Sequence, residues 1–193
     1  MDRKFPMRKV FISYAQQDSS VARRVSEQLS KADVQNWLYE RDIQPGDDWK
    51  EQTARALRDS THGLFLLSPS SLKSPAVSAE WQYFLIQNKP LLIAHVLDVH
   101  PEEIPWRLAR IQQIDLVHNF NKGMRTLIDA LRSEDTLVQQ RNVPDSARVG
   151  HSRASVTLEL NLKELDTQQL VDLITELTDK GIEDIRVVQV AEG

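Results

Sequence analysis

The sequence predicts a doubly wound α/β fold, because apolar strands alternate with amphipathic helices along residues 9–132. Two of the apolar runs, GLFLLS and PLLIAHVL, are almost uninterrupted, which is typical of strands buried on both faces of a parallel sheet. A strand–helix–strand alternation also implies right-handed crossovers between parallel strands. We therefore predict a parallel sheet of about five strands with helices on both of its faces.

The individual elements follow from apolar spacing and from helix caps. The predicted strands are KVFIS (9–13), VQNWLY (34–39), GLFLLS (63–68), PLLIAHVL (90–97) and QIDLV (113–117). Helices are predicted over about 19–32 and over MRTLIDALR (124–132). Asp48 precedes Glu51 at capping-box spacing, so another helix should begin near Trp49. Ser74 followed by Pro75 predicts the start of the helix after the third strand.

The chain changes character after the last of these helices. The segment SEDTLVQQRNVPDSARVGHSRA has no regular apolar spacing, which indicates a linker. Beyond it, a strand, a helix with Leu170 and Ile174 on one face, and a second strand follow in order. We therefore predict a main domain at 1–135, a linker at 136–154 and a small β-α-β unit at 155–193. So small a unit holds little core, and it should pack on the main domain, on another copy or on a partner.

Composition excludes several classes of function. The net charge is −4 with no basic patch, so neither nucleic acid nor a membrane surface is an expected partner. There is no cysteine, and the five histidines show no ligand spacing, so no metal site is predicted. No apolar run approaches the roughly 20 residues that span a bilayer, and no signal peptide is evident, so we expect a cytoplasmic protein.

Familiar nucleotide and hydrolase motifs are also absent. The six glycines are too widely separated to form a GxGxxG or Walker loop, and no GxSxG elbow occurs. A nucleotide would therefore have to bind by another route, at the carboxyl ends of the strands.

One carboxylate stands out because of its neighbours. Glu80 follows Val77 by three residues and precedes Phe84 by four, so it lies at the edge of an apolar helix face. From the residues alone, two interpretations stay open. Glu80 is either a structural carboxylate satisfied by an arginine or by backbone groups, or a catalytic one.

Four segments occur in an order and spacing typical of one family: FISYAQQD, YERDIQPGDDW, LLSPSSLKSPAVSAEW and QIDL. Residues 9–132 resemble a Toll/interleukin-receptor (TIR) domain, and within that family they look closest to the prokaryotic type. The resemblance implies a flavodoxin-like five-stranded sheet. It also implies one of two functions, the cleavage of NAD+ at the nicotinamide–ribose bond or non-catalytic assembly. NAD+ would be a substrate, and no cofactor is implied.

The same resemblance assigns roles to particular positions. In the catalytic members, a glutamate near the start of the helix after the third strand is essential, and that position is Glu80 here. Ala15 and Gln16 would line the nucleotide pocket. Arg41 matches a substrate-contacting position, and a solvated ion pair with Asp42 is the alternative.

Other positions bear on the choice between enzyme and scaffold. Many catalytic members carry a tryptophan where this chain has Ala76, and Trp81 is expected to point into the core instead. Trp49 would either form a wall of the site or, as we favour, pack as the first residue of its helix. The loop at 41–49 is expected to dock on a neighbouring copy and so to form a homo-oligomer.

The resemblance further implies a setting and a further partner. It suggests a prokaryotic defence or immune signalling system that is activated by self-assembly. The C-terminal β-α-β unit would then mediate self-association or bind a protein partner.

Overall fold

A parallel five-stranded sheet forms the centre of the protein. The computed structural model describes residues 8–44, 46–133, 154–160 and 165–189. The strands of the main sheet are β1 (Lys9–Ser13), β2 (Gln35–Trp37), β3 (His62–Leu67), β4 (Leu91–His95) and β5 (Gln113–Asp115). Their order is β2-β1-β3-β4-β5 and every pairing is parallel, which confirms the predicted doubly wound fold. In this order the winding reverses between β1 and β3.

Helices cover both faces of the sheet, and a smaller sheet follows. The helices are α1 (Ser19–Lys31), α2 (Tyr39–Asp42), α3 (Trp49–Asp59), α4 (Pro69–Leu72), α5 (Pro75–Ile86), α6 (Trp106–Ala109), α7 (Phe120–Arg132) and α8 (Thr167–Asp179). The smaller sheet pairs β6 (Ala154–Leu160) with β7 (Ile182–Gln189) in parallel. None of the described helices is long and apolar enough to cross a membrane.

The predicted helix caps are present. The Asp48 side chain accepts hydrogen bonds from the backbone N–H groups of Lys50 (3.0 Å) and Glu51 (3.3 Å), so α3 begins at Trp49 as expected. Ser74 caps α5, and Pro75 is its first residue.

The second strand is shorter than the prediction of 34–39. The chain leaves the sheet after Trp37 because the N–H of Leu38 donates to the Asp42 carboxylate (2.7 Å), and α2 starts at the next residue. The Asp42 side chain therefore ends a strand that apolar spacing alone predicted to continue to residue 39.

Each face of the sheet has its own core. Val10 and Ile12 of β1 pack with α1 and α7 on one face. Phe11 and Phe65 point to the other face and pack with α3 and α5. This alternation follows from the two-residue period of a strand, and it explains why the central strands are apolar throughout.

Close packing of α5 on β3 depends on a glycine. A Cβ atom at Gly63 would lie 2.8 Å from the ring of Phe84, so a larger residue would push the helix outwards. Phe84 also contacts Phe11, with ring centroids 6.1 Å apart. These contacts determine where α5 lies on the sheet and how closely it approaches the strands.

The C-terminal unit packs on the main domain, which is one of the three arrangements that the sequence left open. Leu170 and Ile174 of α8 and Ile185 of β7 are buried in the same core as α3 and α5. At this interface the fully buried Gln82 donates to Thr178 (3.4 Å). Helix α5 is therefore covered by the sheet on one side and by α8 on the other. The linker predicted at 136–154 lies outside the described residues except at its last position.

We expect Ile174→Ala to destabilise the main domain together with the C-terminal unit. Ile174 is fully buried, and its truncation should lower the free energy of unfolding by about 2–4 kcal/mol. Urea unfolding followed by tryptophan fluorescence and by circular dichroism would measure this change, with the exposed Val188→Ala as a control that shifts it by less than about 0.5 kcal/mol. A main transition that keeps its midpoint in Ile174→Ala would show that the unit is not part of the common core.

Candidate functional site

The carboxyl ends of β1 and β3 define the candidate site. Open α/β sheets bind ligands at the carboxyl edge where the winding reverses, and here that point lies between these two strands. Ser13 ends β1, and Ser68 directly follows β3. Helix α5 runs back between the parallel strands β3 and β4, so its first turns lie at the same edge.

Ser13 and Glu80 lie together at this edge because Phe11 and Phe84 pack against each other one layer deeper in the domain. Ser13 is two residues beyond Phe11, and Glu80 is one turn before Phe84. These steps cover about 6.6 Å along a strand and about 6 Å along a helix, so the pair lies directly above the contact between the two rings. The Ser13 hydroxyl donates to Oε2 of Glu80 over 2.5 Å.

The Glu80 carboxylate has an unusual electrostatic environment. Burial raises the pKa of Glu80 to about 7, and the hydrogen bond from Ser13 acts in the opposite direction. Among the described residues, no arginine, lysine or histidine forms an ion pair with Glu80. The structural interpretation, in which an arginine or backbone groups satisfy this carboxylate, is therefore wrong about the partner, which is a serine hydroxyl.

Tyr14 directly follows Ser13 and packs with the core on the opposite face of the sheet. Burial raises the pKa of Tyr14 to about 12, with smaller effects from Glu40 and from Glu80. The phenol is therefore neutral at any physiological pH, and it adds no competing charge to the site.

The loop after β1 is attached to the end of β3 by a second buried pair. Ser68, which is fully buried, donates to the Asp18 carboxylate over 2.5 Å. The N–H of Asp18 in turn donates to the carbonyl of Ala15 (2.8 Å). Ala15 is buried and Gln16 is exposed, and no more than about 11 Å of chain separates either from Ser13. The loop predicted to line a pocket is thus located beside Glu80.

Arg41 is directed elsewhere in this structure. Its guanidinium pairs with Asp42 (2.7 Å), donates to the Ser26 hydroxyl (3.1 Å) and donates to the backbone carbonyl of Asn36. Hydrogen bonding to Asp42 raises the pKa of Arg41. The solvated ion pair that was the alternative for Arg41 is present, and no described contact joins Arg41 to Glu80.

The three other positions singled out from the sequence differ in exposure. Trp49 is 51% exposed, so the packing role that we favoured for it is wrong. Ala76 is exposed one turn before Glu80, and Trp81 is buried in the core as predicted. The side of Glu80 that a tryptophan would cover is therefore open.

Sequence reasoning missed Ser13, Asp18 and Ser68. The only local signal was a polar residue at the end of an apolar strand, in FISY and in LLSPS. No cluster of metal-binding side chains occurs within the described ranges, and the absence of a metal site stays a prediction.

Comparison with known proteins gives a family and a fold. A family model described as the TIR domain matches residues 10–128. Among solved structures, the TIR domain of the Toll-related receptor TRR-2 from Hydra magnipapillata has a TM-score of 0.56 and 20% identity, covering 64% of this chain and 98% of its own. No curated protein matches the chain.

A second similar structure is a metazoan TIR-STING receptor from C. gigas in complex with 2',3'-cGAMP. Its TM-score is 0.54 and its identity is 22%, over 64% of this chain and 39% of the receptor chain. Identities this low show the fold alone.

Replacing Glu80 with Gln should stabilise the protein at pH 8 and have little effect at pH 5. The folded pKa of about 7 lies above the ordinary 4.5, so the folded state holds the proton more tightly. The stability gained from this proton is complete below pH 4.5 and is lost as the pH rises through 7. Glutamine avoids this loss, so the free energy of unfolding of Glu80→Gln should exceed that of wild type by roughly 1–3 kcal/mol at pH 8. The range lies below the full effect of the pKa shift because solvent partly screens the site.

Urea unfolding at the two pH values would measure this difference. Glu27→Gln on the exposed surface of α1 is the matched control, and it should behave like wild type at both. An equal effect of Glu80→Gln at pH 5 and pH 8 would contradict the raised pKa.

Proposed function

The chain belongs to the TIR domain family, and from this premise we propose that it cleaves NAD+ at the nicotinamide–ribose bond, with Glu80 as the essential carboxylate. One observation carries the proposal. A partly enclosed carboxylate without a cationic partner among the described residues lies at the carboxyl edge between β1 and β3, where such sheets bind ligands. Burying a carboxylate without a counter-charge is costly, and sites with this property are commonly functional.

Cleavage of the nicotinamide–ribose bond requires few protein groups other than this carboxylate. The bond between the ribose C1' and the pyridinium nitrogen breaks, and its electron pair neutralises the ring, so nicotinamide leaves without needing a proton. The ribose develops oxocarbenium character, which a nearby carboxylate stabilises most effectively where water is excluded. Attack by water gives ADP-ribose and releases a proton, and attack by a group of the same molecule gives a cyclic product.

The anionic form of Glu80 is the active one in this scheme. A pKa of about 7 in the free protein means that the anion is scarce at pH 5.5 and dominant at pH 8.5. The rate should therefore rise across this interval. Because bound pyridinium is a cation close to Glu80, it should favour the anion and shift the rise in kcat below that in kcat/KM.

The other predicted contacts have unequal support. Ala15 and Gln16 lie on the loop beside Glu80, so we assign them to the nucleotide. Trp49 has the exposed side chain that a wall of the site needs. Arg41 would reach a substrate only after its guanidinium leaves Ser26 and Asn36.

A non-catalytic scaffold is the second candidate. The exposure of residues 46–49 of the loop at 41–49, with Trp49 among them, favours a surface that docks on another copy. Ala76 leaves the site without the tryptophan of many catalytic members. Assembly and catalysis are compatible, and self-assembly in a prokaryotic defence or immune signalling system stays part of the proposal on the resemblance alone.

Purified protein incubated with NAD+ should release nicotinamide, and Glu80→Gln should reduce the rate by at least about 100-fold, because the substitution keeps the shape of the side chain and removes its charge. Liquid chromatography of nicotinamide and ADP-ribose would follow the reaction at low and high protein concentration. Glu27→Gln, an identical change at an exposed position of α1, is the control that should retain wild-type turnover. Turnover that survives in Glu80→Gln would contradict the assignment of Glu80.

Assembly through the loop predicts a dependence on Trp49. Trp49→Ala removes a half-exposed aromatic side chain, and it should lower the mass measured by light scattering at high concentration. Wild-type protein that assembles without releasing nicotinamide at any concentration would favour the scaffold. A mass unchanged by Trp49→Ala would count against the loop as the docking surface.

A further inference from the structure

We propose that Ser13 is a positioning residue for Glu80, whose hydroxyl holds one carboxylate oxygen so that the other is presented to a ligand at the carboxyl edge of the sheet. This inference rests on the proposed function, since it assigns Ser13 a part in the reaction at Glu80. Ser13 itself does not touch the reacting atoms. It acts through the orientation and the charge of the carboxylate.

The geometry supports a fixed orientation. The Ser13 hydroxyl donates to Oε2 of Glu80 over 2.5 Å, and no described residue donates to the other oxygen, Oε1. Ser13 is only 3% exposed, so water has little access to take over its hydrogen bond. The partly buried carboxylate is thus held through Oε2, and Oε1 accepts no hydrogen bond from the described residues.

The position of Ser13 is rigid. It ends β1, which is hydrogen-bonded to β2 on one side and to β3 on the other, and Ser13 itself pairs with Phe65 of β3. A donor on a central strand is located more precisely than one on a loop. Glu80 is equally constrained, because α5 is packed between the sheet and α8.

The same hydrogen bond affects the charge of Glu80. A donor that binds a carboxylate favours the anion, whereas burial favours the neutral acid. The two effects oppose each other in the pKa of Glu80, which burial raises and Ser13 lowers. Without the hydroxyl, burial would act alone, and less of the anion would be present at neutral pH.

Among the described residues, few other charges interact with the pair. Tyr14 is the titratable group with an electrostatic interaction with Glu80, and behind it Glu40 pairs with Arg23 (3.7 Å). Helix α5 carries no second charged residue. Of the charged or titratable groups on the described elements around α5, Lys50 of α3 pairs with Asp172 of α8, Arg55 pairs with Asp59 within α3, and His95 of β4 bonds Gln113. The hydrogen bond from Ser13 is thus the main opposing influence on this carboxyl.

The first experiment measures the titration of Glu80 directly. Carboxyl-carbon NMR of the 13C-labelled full chain would follow Glu80 with pH, with Glu80→Gln identifying its signal. We expect the midpoint to rise by about one pH unit in Ser13→Ala and to stay near wild type in Ser13→Thr, which keeps a hydroxyl. An unchanged midpoint in Ser13→Ala would overturn the inference.

Ser68→Ala is a matched control for this titration. Ser68 is a buried serine at the same edge of the sheet, and its hydroxyl binds Asp18 over the same 2.5 Å distance. The titration midpoint of Glu80 should not move in Ser68→Ala. If both alanine variants shift it equally, a general loosening of the site would be the cause, and the inference on Ser13 would fail.

The second experiment tests the part in catalysis. In Ser13→Ala the rise of kcat with pH should move to higher pH, and kcat at pH 7 should fall about tenfold while KM changes less than about twofold. Ser13→Thr should restore most of kcat. A merely structural serine would lower stability without moving this pH profile.

The two proposals fail in different ways. Wild-type protein that releases no nicotinamide at any concentration counts against the proposed cleavage of NAD+, and the NMR midpoint in Ser13→Ala then still decides whether Ser13 controls Glu80. Turnover with the same pH profile in wild type and Ser13→Ala would overturn the inference on Ser13 and leave the proposed function intact.

Discussion

The contact of Phe84 with the backbone of Gly63 is the constraint on which the candidate site depends. Because a Cβ at Gly63 would come within 2.8 Å of the ring, α5 can lie this close to the sheet only over a glycine. The same ring packs on Phe11. Once this layer is in place, the periods of strand and helix bring Ser13 and Glu80 together at the next layer, at the edge of the sheet.

Helix α5 is buried on two sides, which connects the C-terminal unit to the candidate site. The sheet covers one side of the helix, and α8 covers the other with Leu170 and Ile174. A change in the position of α8 would be transmitted to the helix that carries Glu80, because packed interiors respond to displacement as connected bodies. Binding of a partner to the C-terminal unit, which stays a prediction, would have this direct physical route to Glu80.

The carboxylate at this edge is costly for the fold. Burial favours its neutral form, a single hydroxyl opposes that effect, and among the described residues no cation balances the charge. Natural proteins retain such costs mainly where function requires them. The second pair, Ser68 with Asp18, is as short and more deeply buried, and it attaches the loop after β1 to the end of β3. The two pairs therefore have different roles at the same edge of the sheet: Ser68 with Asp18 supports the loop after β1, and Ser13 holds Glu80.

The sequence by itself determined the fold class, the helix starts at Trp49 and Pro75, and the unusual place of Glu80 on an apolar helix edge. These features depend on the spacing of apolar and capping residues over short stretches, which can be read directly from one sequence. Only the tertiary structure decided the partner of Glu80, the engagement of Arg41 with Ser26 and Asn36, and the docking of α8 on α5. Ser13 and Glu80 are 67 residues apart in the sequence. Their contact depends on the order of the strands and on where α5 packs on the sheet, and neither of these produces a local pattern in the sequence.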